Sequence, residues 1–395
     1  MYDAAVIGAG PAGSRVAFRL AEKGCRVIVL EKKQDTGEPV CCTGIIGIEC
    51  IEKFGIEAGV IRRQVRSALI VSPSGKEVHV QRPEPQAAIV DRGVLNASLA
   101  QRALETGAEY CLNRRVTNLD VKNDRVEITM ENDRTADERL EARVAVIAGG
   151  YGTKLVEQAG LREAADFAMG VQTEVETDGK EEVEVYLGGM VAPGFFAWLV
   201  PTTPGHALAG LITRRSTSYY MDKFLTRLAG EGKISGAAHE LRFASLALNR
   251  ATRTSGKRVL VVGSAAGQVK PVTGGGVYYG MLCADMAAET LATALEHDDL
   301  TAVSLANYDK QWGRLLGREI RLGYWSRKFY ERLSDRRIET IFDITIKNHI
   351  DTSLAEADNL RFDWHGAVVM ELLKQKALSG IFRAIKAPFP AIKRD

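Results

Sequence analysis

Metal-binding side chains are scarce in this chain of 395 residues, which contains only six cysteines and six histidines. No two cysteines are spaced as C-x-x-C, the pair typical of structural zinc sites, so we expect no metal site. Cys25, Cys111 and Cys283 stand among apolar residues, where a free thiol behaves as a small core side chain. Cys41 and Cys42 lie next to each other in a loop and need a different interpretation.

Long apolar runs and a strong excess of one charge are also absent. No stretch of about eighteen apolar residues occurs, which excludes a transmembrane helix. The formal net charge is +2, which gives no reason to expect a nucleic-acid partner. The first apolar run starts at Asp3 and leaves no room for a signal peptide. We therefore expect a cytoplasmic protein and leave open a peripheral position on the inner membrane surface.

Residues 3–31 carry the most informative pattern in the sequence. Apolar runs at 3–7 and 26–30 predict two buried strands, and residues 14–23 between them have a helical composition. The first strand is followed at once by Gly8-Ala9-Gly10-Pro11-Ala12-Gly13, and the second ends at Glu31. A strand, a G-x-G-x-x-G turn, a helix, a second strand and an acid in this order predict dinucleotide binding. The alternative is a tight strand-to-helix turn in another kind of α/β protein.

Each of these residue types has a physical property that suits its position in a dinucleotide-binding turn. Gly8 permits the tight turn, Gly10 lets the backbone approach a pyrophosphate, and Gly13 lets helix and strand pack closely. The helix N-terminus offers N–H groups and a partial positive charge to the phosphates. Glu31 is placed to accept hydrogen bonds from ribose hydroxyls, and its charge would repel a 2′-phosphate.

The rest of the chain predicts an α/β fold with two kinds of sheet. Apolar runs at 143–148 and 258–262 are typical of parallel strands buried on both faces. Alternating segments predict a mainly antiparallel sheet, and the composition is helical after about residue 277; the predicted strands of that sheet are 67–72, 77–82, 167–176, 182–187, 195–201 and 206–213. We therefore predict a Rossmann-like domain with a mainly parallel sheet, an inserted mainly antiparallel substrate domain, and a helical C-terminal region. The predicted boundaries are 1–66, 88–165 and 250–310 for the first domain, 67–87 and 166–249 for the second, and 311–395 for the helical region.

Three further segments combine with the glycine turn. They are Asp91-Arg92 before a predicted helix at 94–106, Phe196-Ala197-Trp198-Leu199-Val200-Pro201, and Gly263-Ser264-Ala265-Ala266-Gly267 with Pro271, Thr273 and Gly274-Gly275-Gly276. In order and spacing these segments resemble the FAD-dependent geranylgeranyl reductase family, within the p-hydroxybenzoate-hydroxylase-like flavoproteins. The resemblance covers most of the chain and is weakest beyond about residue 310.

The resemblance implies FAD as cofactor and a set of residues that bind it. Arg92 would reach the flavin side, and the loop from Pro271 to Gly276 would wrap the isoalloxazine. The implied cofactor-binding residues are Gly8, Gly10, Pro11, Ala12, Gly13, Glu31, Cys42, Gly44, Arg92, Gly263, Ser264, Pro271, Gly274, Gly275 and Gly276. The family usually has Asp where this chain has Ser264, so a charge-assisted hydrogen bond is replaced by a weaker neutral one.

The implied reaction is the saturation of isoprenoid double bonds by hydride transfer from the flavin and protonation. Phe196, Trp198 and Pro201 would bind the prenyl substrate, although the family motif Y-x-W-x-F-P is altered to Phe196-x-Trp198-x-Val200-Pro201. Cys42, in a Cys-Gly-type segment near the flavin in this family, is the candidate catalytic residue. A monooxygenase or electron-transfer dehydrogenase of the same fold and a non-catalytic flavin- or prenyl-binding protein are the alternatives.

Two partners are expected beyond the substrate. No second G-x-G-x-x-G follows a strand, so electrons would come from an external donor such as NAD(P)H, ferredoxin or another reduced carrier. Apolar and basic residues are mixed between Leu372 and Lys386, a composition that would allow an amphipathic helix to rest on an anionic membrane surface. The alternative is a helix that packs on its own domain with a solvated basic face.

Overall fold

Apolar runs form the strands of this protein, seen in a computed structural model that describes residues 1–132, 135–179, 181–235, 240–357 and 360–374. The strands are β1 (Tyr2–Ile7), β2 (Val27–Leu30), β3 (Ile45–Gly47), β4 (Ile61–Val65), β5 (Ser67–Val71), β6 (Glu77–Gln81), β7 (Ala87–Val90), β8 (Glu109–Cys111), β9 (Arg115–Val121), β10 (Val126–Asn132), β11 (Thr135–Ile147), β12 (Phe167–Glu176), β13 (Val183–Leu187), β14 (Phe196–Pro201), β15 (His206–Thr213), β16 (Arg242–Ala247), β17 (Ser255–Gly256) and β18 (Val259–Val261). The helices are α1 (Pro11–Glu22), α2 (Ile48–Phe54), α3 (Arg92–Glu105), α4 (Leu155–Gln158), α5 (Thr217–Gly230), α6 (Val277–Glu296), α7 (Ala302–Tyr330), α8 (Asp335–Lys347), α9 (Ile350–Glu356) and α10 (His365–Lys374). Short 3-10 turns lie at Ala58–Val60 and Gly263–Ala266.

A first compact unit comprises Met1–Val40, Arg92–Phe167 and Ala247–Ile320. Its main sheet has the strand order β17-β18-β11-β1-β2-β8, and β18, β11, β1, β2 and β8 run parallel. Strand β1 is fully buried at Ala4, Ala5 and Val6, as expected for a parallel strand that is covered on both faces. The predicted Rossmann-like, mainly parallel sheet is thereby confirmed.

Three glycine-containing turns follow three neighbouring strands of this sheet. Ile7 of β1 pairs with Ile147 of β11, which pairs with Val261 of β18, so the three strands end level with one another. The chain continues from these ends into Gly8, Gly149 and Gly263, respectively. The carboxyl edge of a parallel sheet is where such folds bind their ligands.

A second compact unit comprises Cys41–Asp91, Ala168–Leu246 and Arg321–Asp395. Its larger sheet has the order β16-β12-β15-β14-β13-β5-β6. The pairs β12-β15, β15-β14, β14-β13 and β5-β6 are antiparallel, and β13 pairs with β5 in parallel. One face is covered by α5, whose Met221, Phe224 and Leu228 pack against Leu199 and Leu211. This sheet confirms the mainly antiparallel layer predicted from the alternating segments.

The second unit also contains a three-stranded sheet, β3-β7-β4, that the sequence analysis did not identify. Its strands are only three to five residues long, and β7 is fully buried. This pairing holds 41–66 and 88–91 together within the second unit, whereas the sequence analysis assigned both segments to the cofactor-binding domain.

The C-terminal helices lie partly in each unit, although the sequence analysis set 311–395 apart as a helical region. Residues up to Ile320 lie in the first unit, and the chain from Arg321 onward in the second. The reason is apolar contact, because Ile338 and Phe342 of α8 pack on Val78 of β6. The amphipathic helix predicted between Leu372 and Lys386 lies outside the described residues except for its first positions.

Candidate functional site

The glycine turn after β1 is held by contacts that admit no side chain at two of its positions. Gly8 has φ +109°, and a Cβ there would lie 2.6 Å from the carbonyl oxygen of Ala148. A Cβ at Gly13 would lie 1.9 Å from the carbonyl oxygen of Gly8. A Cβ at Gly10, in contrast, would meet no atom within 4 Å. The turn is thus closed toward the sheet and open at Gly10, the position at which a pyrophosphate approaches the backbone.

Helix α1 begins at Pro11, directly after this open position. Gly10 is its N-cap residue, and none of the described side chains caps the helix there. A proline at the first helical position costs no hydrogen bond, since its missing N–H would lack a helical partner anyway. The first-turn amides and the helix dipole therefore remain directed toward an anion.

Glu31 lies at the end of β2 and is 9% exposed. Its Oε2 accepts a hydrogen bond from the Ala9 amide at 2.7 Å, and its Oε1 accepts one from the Lys33 amide at 3.1 Å. A carboxylate offers about four lone-pair sites, so both oxygens keep capacity for ribose hydroxyls. Glu31 therefore ties the glycine turn to the second strand and is placed for the predicted contact with the cofactor.

The turn after β18 packs against the same helix. A Cβ at Gly263, where φ is +73°, would lie 3.1 Å from the Ala12 Cβ, and one at Gly280 of α6 would lie 3.4 Å from it. The Gly263 amide donates to Gln268 Oε1 at 2.7 Å, and Gln268 in turn donates to the Tyr308 hydroxyl at 2.7 Å. Gln268 is fully buried, which fixes the conformation of this turn from within.

The predicted flavin loop folds back on itself before α6. Lys270 donates its amide to the carbonyl of Gly275 at 2.9 Å and accepts the amide of Gly274 at 2.8 Å. A Cβ at Gly276, the N-cap of α6, would lie 3.2 Å from Ser264 Oγ. The structure thus places Ser264 beside Gly276, and Pro271 lies buried at the start of the loop.

Arg92, the first residue of α3, is the strongest indication of a ligand-binding position. Its Nη2 donates to Asn96 Oδ1 at 3.2 Å, whereas the buried Nε and Nη1 have no partner among the described residues. Arg92 is only partly buried as a residue, but a buried N–H donor without a partner is costly, because its desolvation is not offset by a hydrogen bond. The open Gly10, the uncapped α1 and the unmet Arg92 donors each fit a phosphate- and carbonyl-bearing cofactor such as FAD.

The Cys41–Gly44 segment belongs to the second unit. Gly44 has φ +74°, and a Cβ there would lie 2.2 Å from the Val90 carbonyl oxygen, so the segment is held tightly against β7. Burial raises the pKa of the Cys41 thiol to about 12, which makes Cys41 an unreactive neutral thiol. All six cysteines are free thiols, and Cys42 is half-buried next to Cys41.

The aromatic strand β14 presents the two rings that the sequence analysis selected to one face. Phe196 and Trp198 lie two residues apart with ring centroids separated by 5.9 Å. Ala197 and Leu199 point to the opposite face, into the core that α5 covers. Pro201 has the same strand parity as Leu199, so the register places it on that opposite side, away from the two rings.

Two residues of this region escaped the sequence analysis. Arg327 of α7 is 5% exposed, lies 4.8 Å from the Phe195 ring centroid and donates to the Gly194 carbonyl at 3.1 Å. Burial lowers the pKa of this guanidinium to about 10, so it stays charged at neutral pH. Gln172 of β12 is 2% exposed and donates from Nε2 to the Cys42 carbonyl at 3.3 Å. Gln172 could have been noticed in the sequence, because it is a polar residue among the apolar residues of a predicted strand.

Two features that would change the chemistry are not found in the part of the chain that the structure describes. None of its helices combines the length and hydropathy needed to cross a bilayer. Its His, Cys, Asp and Glu side chains form no group of three or more that could hold a metal ion.

Comparison with known proteins identifies the family. A family model described as FAD binding domain matches residues 1–303. The digeranylgeranylglycerophospholipid reductase of Methanocaldococcus jannaschii is 30% identical over 356 residues, which are 86% of this chain and 90% of that protein. A geranylgeranyl bacteriochlorophyll reductase-like protein from Thermoplasma acidophilum has the same fold, with a TM-score of 0.85 at 20% identity over 97% of this chain and 99% of that one.

The fold is not restricted to reductases. A variant of the halogenase PltM in complex with FAD superposes with a TM-score of 0.69 at 14% identity, over 98% of this chain and 93% of that one. Likeness of fold alone therefore does not fix the reaction. The sequence relationship is more specific, and it confirms the predicted cofactor and enzyme class, an FAD-dependent oxidoreductase. The chain belongs to the FAD-binding family that includes the digeranylgeranylglycerophospholipid reductases.

Proposed function

We propose that this enzyme reduces carbon–carbon double bonds in the isoprenoid chains of a prenyl lipid. The observation that carries the proposal is the aromatic face of β14, in a chain whose relative is named a digeranylgeranylglycerophospholipid reductase. A prenyl chain has no polar atoms along its length, so binding depends on the apolar area that it buries. Phe196 and Trp198 offer such an area on one face of the strand.

The chain would bind FAD through backbone N–H groups and through the charged side chains of Glu31 and Arg92. The first turn of α1, after Gly10, would receive the pyrophosphate, and Glu31 would accept hydrogen bonds from the ribose. Arg92 would donate from Nε and Nη1 to oxygen atoms of the cofactor, and the loop from Pro271 to Gly276 would contact the flavin. Cys42 and Gly44 belong to the same proposal through the family resemblance. When bound and reduced, FAD supplies the hydride equivalent that saturation of an alkene requires.

Cys42 is proposed to act beside the substrate, and Cys41 is not. Burial keeps the Cys41 thiol neutral, with a pKa of about 12. The backbone of Cys42 is fixed by Gln172, which limits the positions that its side chain can adopt. A thiol that touches the substrate orients it and excludes water from the reacting carbon atoms.

The electron donor and the membrane contact belong to this proposal as partners of the enzyme. The cofactor would be reduced by NAD(P)H, ferredoxin or another carrier that docks from outside, since the sequence contains one dinucleotide motif. A substrate dissolved in a bilayer would be reached from a peripheral position on the membrane, to which basic residues of the C-terminal segment are attracted.

The decisive experiment is anaerobic single turnover. The FAD-loaded protein is reduced with dithionite, mixed with a digeranylgeranylglycerol ether lipid, and followed by flavin absorbance and by mass spectrometry of the lipid. We expect flavin reoxidation together with a gain of two hydrogens for each double bond. A monooxygenase would instead need oxygen and would add an oxygen atom, and a non-catalytic binding protein would stay reduced.

Variants connect this activity to the aromatic face. Phe196→Ala should weaken lipid binding about tenfold, because a substantial part of the apolar contact is lost. Tyr219→Ala is the matched control, since Tyr219 is an exposed aromatic residue on α5, which covers the opposite face of the sheet. Equal losses in the two variants would contradict the assignment of the β14 face.

A further inference from the structure

Two buried polar atoms on the aromatic face lack hydrogen-bond partners among the described residues. They are Trp198 Nε1, whose residue is 7% exposed, and Gln172 Oε1, whose residue is 2% exposed. Buried polar atoms in folded proteins are nearly always satisfied, by protein, water or ligand. Two unmet atoms on the same face of one sheet, on strands separated only by β15, therefore indicate that something else binds there.

The sheet register brings these two residues to the same face. Gln172 of β12 pairs with Gly210 of β15, and Gly210 pairs with Trp198 of β14, so the three residues form one row across the sheet. Adjacent strands lie about 4.8 Å apart, so two strand spacings separate Gln172 from Trp198. Gly210 between them has no side chain to fill the interval.

The indole ring occupies part of that interval. A Cβ at Gly210 would lie 2.5 Å from Trp198 Cζ2 and 2.6 Å from Cε2, the atom to which Nε1 is bonded. The nitrogen-bearing edge of the ring thus lies over Gly210, the residue that pairs with Gln172. A glycine inside a strand often marks such a close approach.

The orientation of the Gln172 amide follows from its other contact. Its amide lies 3.3 Å from the Cys42 carbonyl oxygen, which can only accept a hydrogen bond. The NH₂ group of Gln172 must therefore face Cys42, and its Oε1 must face away. Trp198 Nε1–H is a donor without an acceptor, and Gln172 Oε1 is an acceptor without a donor. One group that both accepts and donates a hydrogen bond could therefore pair with both atoms.

We infer that Gln172 and Trp198 form a site for one hydroxyl group, which accepts from the indole N–H and donates to the amide oxygen. A hydroxyl is the smallest common group that both donates and accepts. Water and a lipid alcohol carry the same chemistry, and either would occupy the site. For a lipid alcohol the inference rests on the proposed function, and it makes Gln172 a specificity-determining residue for the polar end or a hydroxylated position of the substrate.

The site can be tested without turnover, by the indole N–H resonances of ¹⁵N-tryptophan-labelled protein. The sequence has four tryptophans, and Trp198→Phe assigns the resonance of interest. We expect that signal to be hydrogen-bonded in the wild type, to move upfield in Gln172→Leu, and to be retained in Gln172→Glu, which keeps an acceptor oxygen. Thr173→Val is the control, because this buried neighbour on β12 points to the opposite face.

Two further measurements show whether the hydroxyl group belongs to water or to a lipid alcohol. In lipid-free protein, a hydrogen-bonded Trp198 signal with cross-relaxation to solvent supports water. If the lipid alcohol occupies the site, geranylgeraniol should bind about fivefold more tightly than its methyl ether, a ratio that corresponds to the free energy of one hydrogen bond. This preference should be lost in Gln172→Leu. A Trp198 resonance unaffected by Gln172→Leu, together with equal affinity for alcohol and ether, would overturn the site. Failure of the proposed reaction alone would leave the spectroscopic result standing.

Discussion

Replacing Arg92 with methionine should affect FAD binding and the stability of the apoprotein differently. Methionine keeps the apolar stem of the side chain and removes the guanidinium. In the apoprotein, Nε and Nη1 carry three buried N–H donors that no described residue accepts, and one further bond joins Nη2 to Asn96 at 3.2 Å. Removal of this cation relieves a desolvation cost of about 1–3 kcal/mol and loses one bond of about 1 kcal/mol. The free energy of unfolding of the apoprotein should therefore stay unchanged or rise slightly.

Binding of FAD should weaken markedly in the same variant. If one oxygen of the cofactor accepts a hydrogen bond from this cation, the loss amounts to about 1.5–3 kcal/mol, or roughly a 10- to 150-fold increase in Kd. Titration of apoprotein with FAD, followed by quenching of flavin fluorescence, measures the change in Kd. Urea unfolding of the apoprotein measures the change in stability.

The control is Arg102→Met on the same helix. Arg102 stacks on the Phe18 ring at 5.4 Å and has no part in the proposed cofactor site. That variant should bind FAD with the wild-type Kd. Our reasoning is refuted if Arg92→Met binds FAD normally, or if it destabilises the apoprotein by several kcal/mol and leaves FAD affinity unaltered.

The remaining predictions concern the glycine turn after β1, the pair Cys41 and Cys42, and the turn after β18. Gly13→Ala should destabilise the apoprotein by about 1–3 kcal/mol in urea, because its Cβ would lie 1.9 Å from the Gly8 carbonyl oxygen. Gly10→Ala should instead leave the apoprotein unchanged and weaken FAD binding, since its Cβ has free space in the apoprotein; equal stability losses at both positions would contradict this distinction. Cys42→Ser should slow alkene reduction with FAD retained, whereas Cys41→Ser should not, and normal turnover in Cys42→Ser would exclude that thiol. With a pKa of about 12, Cys41 is about one part in ten thousand thiolate at pH 8, so iodoacetamide should leave it unlabelled in mass spectra of Cys42→Ser protein. Gln268→Leu should destabilise the protein by about 1–3 kcal/mol because it leaves the buried Gly263 amide without its acceptor, and an unchanged urea midpoint would refute that role.

The sequence predicted those elements of the fold that are formed by residues close together along the chain. The strand at 3–7, the turn at Gly8–Gly13 and the strand ending before Glu31 lie close together in sequence, and all three were predicted near their observed bounds. The antiparallel strands at 167–176 and 206–213 were predicted with the same bounds as observed. These features depend on steric rules that act within a few residues.

Features that depend on distant pairing were missed. The β3-β7-β4 sheet joins very short strands separated by many residues, so no single segment carries its pattern. The alternation of side chains along β14 places Phe196 and Trp198 on one face and Pro201 on the other, although the family resemblance grouped all three as substrate-binding residues. Gln172 and Gly210 have no motif, and their importance appears only when the register aligns them with Trp198. Which residues bind cofactor and substrate remains a prediction that the experiments above address.

The hydrogen bonds of Glu31 have a consequence for how the enzyme acquires its cofactor. Its two oxygens bridge the amides of Ala9 and Lys33, so the protein's own side chain holds the glycine turn and the start of the following loop together. Preorganisation of this kind spares the entropy that a disordered loop would lose on association. Binding of FAD would therefore not have to supply the free energy that fixes this loop.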